Sequence, residues 1–185
     1  QAGFGRTGRL FGFEHYGVTP DIACFGKGIS GGMPLSAVAG TEDLMSMYGP
    51  GEMTSTHSAN PICAAAALAN IEVILEDDLP ARARSLEPVL LKAGREMMEG
   101  SRGHIGRADG CGLVMALQFV EPGTTTPDPE SAFEVVKKSV ERGVMLFAPV
   151  GVGGGAIKIN PPLIIDEDTL REGLQVISDI IDEMF

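Results

Sequence analysis

Asp21-Ile-Ala-Cys-Phe-Gly-Lys-Gly-Ile-Ser-Gly-Gly32 is the stretch around which the chain is organised, with Lys27 at its centre. Its opening part, Ile22 to Phe25, is a short apolar run bounded by turn residues and predicts a buried strand. That strand delivers Lys27 into a glycine-rich turn, where Gly26 and Gly28 let the backbone approach a ligand closely. A lysine held out of water loses part of its preference for the charged form. Its amine then becomes a nucleophile able to form a Schiff base. An ordinary solvated loop lysine is the other reading, and these positions alone leave both open.

Upstream, Gly3-Phe-Gly-Arg-Thr-Gly8 matches the dinucleotide pattern G-x-G-x-x-G. That fingerprint needs a strand before it and a helix opening at its end. Only Gln1 and Ala2 precede it, and Leu10 to Gly17 lacks a helical pattern, so a dinucleotide site is not expected. A Walker A loop fails too: Asp21 stands where the first glycine is needed, and Gly28 follows Lys27 in place of Ser or Thr. The chain opens without a methionine and is at once inside this glycine-rich motif, which reads as a piece of something longer.

Downstream, Leu35 to Ala39 predicts a strand and Glu42 to Tyr48 a short helix stopped by Gly49-Pro50. Asn60 suits a helix N-cap, Pro61 the first helical position, and the alanine-rich run that follows the helix itself. The hydroxyls of Thr54, Ser55, Thr56 and Ser58 therefore collect ahead of a helix N-terminus, where they suit either an anion or simple capping and turning. Ala81 to Met98 predicts a second helix with Leu86, Leu90, Ala93 and Met97 on one stripe, kinked at Pro88.

After a turn at Ser101-Arg-Gly103, the alternation of Leu113, Met115, Leu117 and Phe119 predicts a half-buried strand. A helix over Ala132 to Arg142, strands over Val144 to Phe147 and Ala156 to Ile159, and a closing helix complete the pattern. That last helix carries Asp166, Glu167 and Asp168 in its first turn and buries Leu170, Leu174, Ile177, Ile181 and Met184. The character of the chain changes near residue 100, so residues 1–80 and 101–185 are expected to be parts of two domains, with 81–100 as the connecting helix.

The composition, 44% hydrophobic without low-complexity sequence, is that of a globular protein. A net charge of −11 disfavours nucleic acid and anionic membrane as partners, though not a local cationic pocket for one phosphate. Cys24, Cys63 and Cys111 lie far apart and read as small buried residues of a reducing compartment such as the cytoplasm, not as a disulfide framework. With His15, His57 and His104 equally scattered, no metal site is expected.

Taken in order, Gln1-Ala-Gly-Phe-Gly-Arg-Thr-Gly8, Pro20-Asp-Ile, Lys27-Gly-Ile-Ser-Gly-Gly-Met-Pro-Leu35, Thr56-His-Ser-Ala-Asn-Pro61 and Pro161-Pro-Leu163 form a series. In that series the chain resembles class III (omega-type) aminotransferases, fold-type-I enzymes that use pyridoxal phosphate (PLP). The resemblance implies an α/β fold: the end of the large, mostly parallel-sheet cofactor domain, then a small α+β C-terminal domain. It implies Lys27 as the Schiff-base lysine and proton carrier, Gln1 as a hydrogen-bond partner of the cofactor's phenolic oxygen, and Thr56 as a ligand of the PLP phosphate of a neighbouring subunit. A homodimer with shared sites follows from the last of these, with a small-molecule amino donor and a carbonyl acceptor as substrates.

Two departures accompany the resemblance. The aspartate that pairs with the pyridine nitrogen in this family falls before Gln1, so the chain alone should lack a complete site. Lys158 stands where many members carry a carboxylate-gripping arginine, and a lysine lacks that bidentate fork. Lys158 is therefore a substrate-binding candidate whose α-carboxylate grip is in doubt. An aminomutase, racemase or lyase on the same scaffold remains an alternative, as does a non-catalytic fragment or interaction module.

Overall fold

A computed structural model describes residues 1–185, which fall into two compact units, Gln1–Ala81 and Arg82–Phe185. In the first unit, β1 (Ile22–Phe25) pairs antiparallel with β2 (Ala37–Gly40), Ile22 opposite Gly40 and Phe25 opposite Ala37. The glycine-rich turn joins them and contains a short 3₁₀ segment, Lys27–Ile29. A one-turn helix, α1 (Glu42–Met45), follows β2. The longer α2 (Pro61–Glu76) begins as its sequence predicts, with Asn60 as cap and Pro61 at the first position. β1 is less buried than expected, for Ile22 and Cys24 are exposed while Ala23 and Phe25 are half-buried.

No helix opens after Gly8. The segment from Gly3 instead folds back in turns, with a single antiparallel bridge between Gly3 and Phe11, and a 3₁₀ segment spans Gly12–Tyr16. A dinucleotide-type loop needs that missing helix N-terminus for its pyrophosphate.

The second unit takes up most of α3 (Leu79–Gly100). Helices α4 (Pro129–Glu141) and α5 (Glu167–Met184) accompany a three-stranded antiparallel sheet of order β3-β4-β5. Its strands are β3 (Ile105–Cys111), β4 (Val114–Phe119) and β5 (Ala156–Ile159). The alternation read in β4 is real: Met115, Leu117 and Phe119 are buried and Gln118 is exposed. They join Leu86, Leu90 and Met97 of α3, Val135 of α4, Ile157 of β5 and the α5 stripe from Leu170 to Ile181 in one core. Each such side chain contributes about 1.5–3 kcal/mol by leaving water.

α3 runs unbroken as a helix through Pro88, which is exposed. Two local expectations change. Val144 to Phe147 is not a strand. Val144 and Leu146 pack against the core while Met145 and Phe147 are exposed, as in a strand, but no neighbour pairs with them, and only Val150 bridges to Ala156. Strand β3 went unread because Gly106, Arg107, Asp109 and Gly110 break its apolar pattern, and its register slips between Ile105 and Arg107.

Asp166 caps α5, its two carboxylate oxygens accepting from the Thr169 amide at 2.8 Å and the Thr169 hydroxyl at 2.9 Å. The Thr169 amide, then its hydroxyl, hold the Asp166 carboxyl below its ordinary value of 3.8. A depressed carboxylate stabilises the fold above its unfolded value and loses that contribution as pH falls through its folded value. Asp166→Asn, which keeps a capping oxygen but does not titrate, is therefore expected to flatten the loss of stability below about pH 3.8, read from melts above and below that point. Two glycines give opposite expectations. A Cβ on Gly110 would fall 2.9 Å from Met115 Cα and closer still to the Val114 carbonyl oxygen, whereas one on Gly173 of α5 meets nothing within 4 Å. In denaturant titrations Gly110→Ala should destabilise by about 1–3 kcal/mol, and Gly173→Ala should stabilise by about 0.4–1 kcal/mol.

Candidate functional site

Lys27 follows β1 directly and sits at φ 49, a left-handed conformation that costs an L residue about 1–2 kcal/mol. The turn is closed by the Ile29 amide donating to the Gly26 carbonyl at 3.3 Å, and continues as Ser30 Oγ donates to the Met33 carbonyl. Lys27 is exposed, with no ion pair or hydrogen bond, so the residues of this chain do not supply the burial that the sequence suggests for its amine. The neighbouring space is open: a Cβ on Gly26 would meet nothing within 4 Å.

Below the turn lies an aromatic cluster. Phe4, itself at φ 55 and buried, sets its ring edge-on to Phe11 at 5.6 Å and to Phe25 at 6.2 Å, and Phe11 contacts Phe25 at 5.0 Å. A Cβ on Gly28 would lie 3.5 Å from Phe4, so that ring is packed against the lysine turn itself. The cluster thereby joins the segment that starts at Gln1 to the end of β1. Gln1 is exposed at the head of that segment. Within the same segment, the buried Thr7 hydroxyl meets His15 Nε2 at 3.1 Å, and burial lowers the pKa of the Arg6 guanidinium.

Thr56 lies in the turns ahead of α2, exposed, with neither its hydroxyl nor its amide in a hydrogen bond. The helix-terminus reading of this region needs correction. Asn60 Oδ1 accepts from the amides of Ile62 at 2.9 Å and Cys63 at 3.3 Å, the Asn60 carbonyl accepts from Ala64, and Pro61 has no N–H. No first-turn amide of α2 is left for an anion. Ser58 Oγ meanwhile donates to the Ser55 carbonyl at 2.7 Å and lies 3.4 Å from Thr54 Oγ1, so these two hydroxyls turn the chain, while the side-chain hydroxyls of Ser55 and Thr56 are left unengaged.

The site acquires one residue that sequence reasoning missed. Asn70, about two and a half turns along α2, donates through Nδ2 to the carbonyls of Gly28 at 2.8 Å and Ile29 at 3.3 Å. An amide side chain in the run Pro61 to Ile71, otherwise without one, was the only signal. From Pro61 to Asn70, α2 rises ~13 Å, and no hydrogen bond ties Thr56 to the lysine turn. Lys158 belongs to the other unit, half-buried in β5 opposite Ala116. No group of three or more His, Cys, Asp or Glu side chains converges to hold a metal ion.

A strained lysine with an open amine, carried by a glycine turn, fits a covalently anchored carbonyl cofactor, and an unengaged threonine hydroxyl fits a phosphate. The family model for class-III aminotransferases matches residues 1–181. A 4-aminobutyrate aminotransferase of Mycobacterium leprae is 36% identical over 181 residues, spanning 98% of this chain and 40% of its own length. The acetylornithine aminotransferase of Elizabethkingia anophelis superposes with a TM-score of 0.88 at 33% identity, over 99% of this chain and 44% of that one. The ornithine aminotransferase of Toxoplasma gondii, whose structure reveals partial occupancy of PLP at its active site, gives 0.87 at 32% identity, over 99% and 42%. The chain belongs to the class-III aminotransferases, PLP-dependent enzymes of fold type I, and spans less than half the length of these relatives.

The division of labour before α2 is open to measurement. Asn60→Ala is expected to cost about 1 kcal/mol of stability in denaturant titrations, whereas Thr56→Ala should stay within about 0.5 kcal/mol of the parent because it loses no bond.

Proposed function

We propose that the protein containing this chain transfers an amino group from an amine or amino acid to a keto or aldehyde acceptor, with PLP held covalently by Lys27. The observation that carries the reading is Lys27 itself: an exposed amine without an ion pair, at φ 49 between two glycines, in a chain of this family. Bound PLP would supply an electron sink for the negative charge left on the substrate carbon. The chain's own part is to hold the amine at the end of β1. Once freed by substrate, the Lys27 amine would serve as the base that takes the proton from that carbon, a transfer made effectively intramolecular by its place at the end of β1.

Gln1 is assigned to the phenolic oxygen of the cofactor, supported by the Phe4 cluster that packs its segment against the lysine turn. Thr56 is assigned to the phosphate of the cofactor bound by the partner subunit of a homodimer. Its unengaged hydroxyl supports this, as do the exposed Ile62, Leu68, Val73 and Leu75 of α2, a helix apolar on several sides. Lys158 is assigned to a substrate carboxylate as a point charge. Residues 1–80 are taken as the end of the cofactor domain, 81–100 as the helix leaving it and 101–185 as the small domain. No helix is long and apolar enough to cross a membrane. Of the three cysteines expected to be buried only Cys63 is, Cys24 being exposed and Cys111 half-buried; all three are free thiols, which supports a reducing location, for which the cytoplasm is proposed.

The test uses the protein expressed from its complete reading frame, treated with PLP and then borohydride. A single label at Lys27, lost in Lys27→Ala, is expected by peptide mass. Label spread over surface lysines, or none, overturns the assignment.

A further inference from the structure

Asn70 is half-buried, and its two hydrogen bonds run to consecutive carbonyls immediately after Lys27. Two carbonyls can be satisfied only by the NH₂ end of the amide, so its orientation is set by chemistry. Its Oδ1 lies where a Cβ on Gly31 would come within 3.2 Å, and Gly31 is itself at φ 63. The glycine thus both turns the chain and leaves room for this amide. The backbone bond that closes the turn, from Ile29 to Gly26, is long at 3.3 Å. A left-handed lysine persists only where its surroundings over-determine it.

We infer that Asn70 is a positioning residue for Lys27. By tying down the Gly28 and Ile29 carbonyls it keeps the lysine left-handed and sets the direction in which Nζ is presented to a carbonyl cofactor. Phe4 limits the turn through packing against Gly28, and Asn70 limits it through the carbonyls that follow. Released from Asn70, Lys27 can return to negative φ, which swings its side chain away. The inference rests on Lys27 being the cofactor's anchor.

The test again uses the protein from its complete reading frame, with two readouts on variants first shown to be folded by melting. Asn70→Asp keeps the shape but turns an acceptor toward two carbonyls, Asn70→Ala removes both bonds, and Asn70→Ser keeps one short donor. The first readout, without cofactor, is hydrogen exchange of the Ile29 amide. The second is the rate at which added PLP becomes borohydride-fixable at Lys27. In Asn70→Asp and Asn70→Ala, exchange at Ile29 should be about tenfold faster and labelling about tenfold slower, the worth of a hydrogen bond. Asn70→Ser should fall between, and exchange at Leu117 should not move. Wild-type labelling in folded Asp and Ala variants overturns the positioning role, even if Ile29 exchange changes. A parent protein that takes no label at Lys27 removes the anchor itself, and the cofactor role of Asn70 with it.

Discussion

Holding an L residue at φ 49 requires neighbours that leave it no easier conformation, and the first unit is arranged to do this for Lys27. The strand before it brings Phe25 onto Phe4 and Phe11, so the turn starts from a fixed base. Phe4 then presses on Gly28, and Asn70 takes the two carbonyls that follow. Each contact comes from a different part of the chain: the opening segment, β1 and α2. The long-range bonds from Asn70 to Gly28 and Ile29 make α2 a support for the lysine as well as a helix in its own right.

The second unit depends on β4. It is the middle strand, paired with β3 through Cys111 to Ile105 and with β5 through Met115 to Gln118, and its inward residues are among the most buried of the chain. Gly110 lies where the β4 backbone leaves no room for a side chain, and Gly94 of α3 lies against the Met115 side chain. Lys158 is thereby placed on a strand whose other residues, Ala156, Ile157 and Ile159, are all buried.

Much of this was legible in order along the chain. The cap at Asn60, the helix starts at Pro61 and Asp166, the β4 alternation and the lysine turn are all local signals, set by side chains within a few residues of one another. Expectations that changed depended on pairing. Val144 to Phe147 has a strand's alternation but no partner, and β3 has partners but no alternation. The hydroxyl cluster before α2 looked ready for an anion in sequence, yet Asn60 already takes the amides that would have bound it.

By itself, then, the sequence determined the family resemblance, the glycine turn around Lys27, the helix starts and the β4 strand, because motif spacing and capping are short-range chemistry. Only the tertiary structure decided that Lys27 is left-handed and exposed, that Phe4 and Asn70 hold its turn, and that the Thr56 hydroxyl is unengaged. The physical reason is that a hydrogen bond from Asn70 to Gly28 joins residues 42 positions apart. No local pattern specifies such a bond; it exists once α2 has packed beside the turn and its amide has two carbonyls to satisfy.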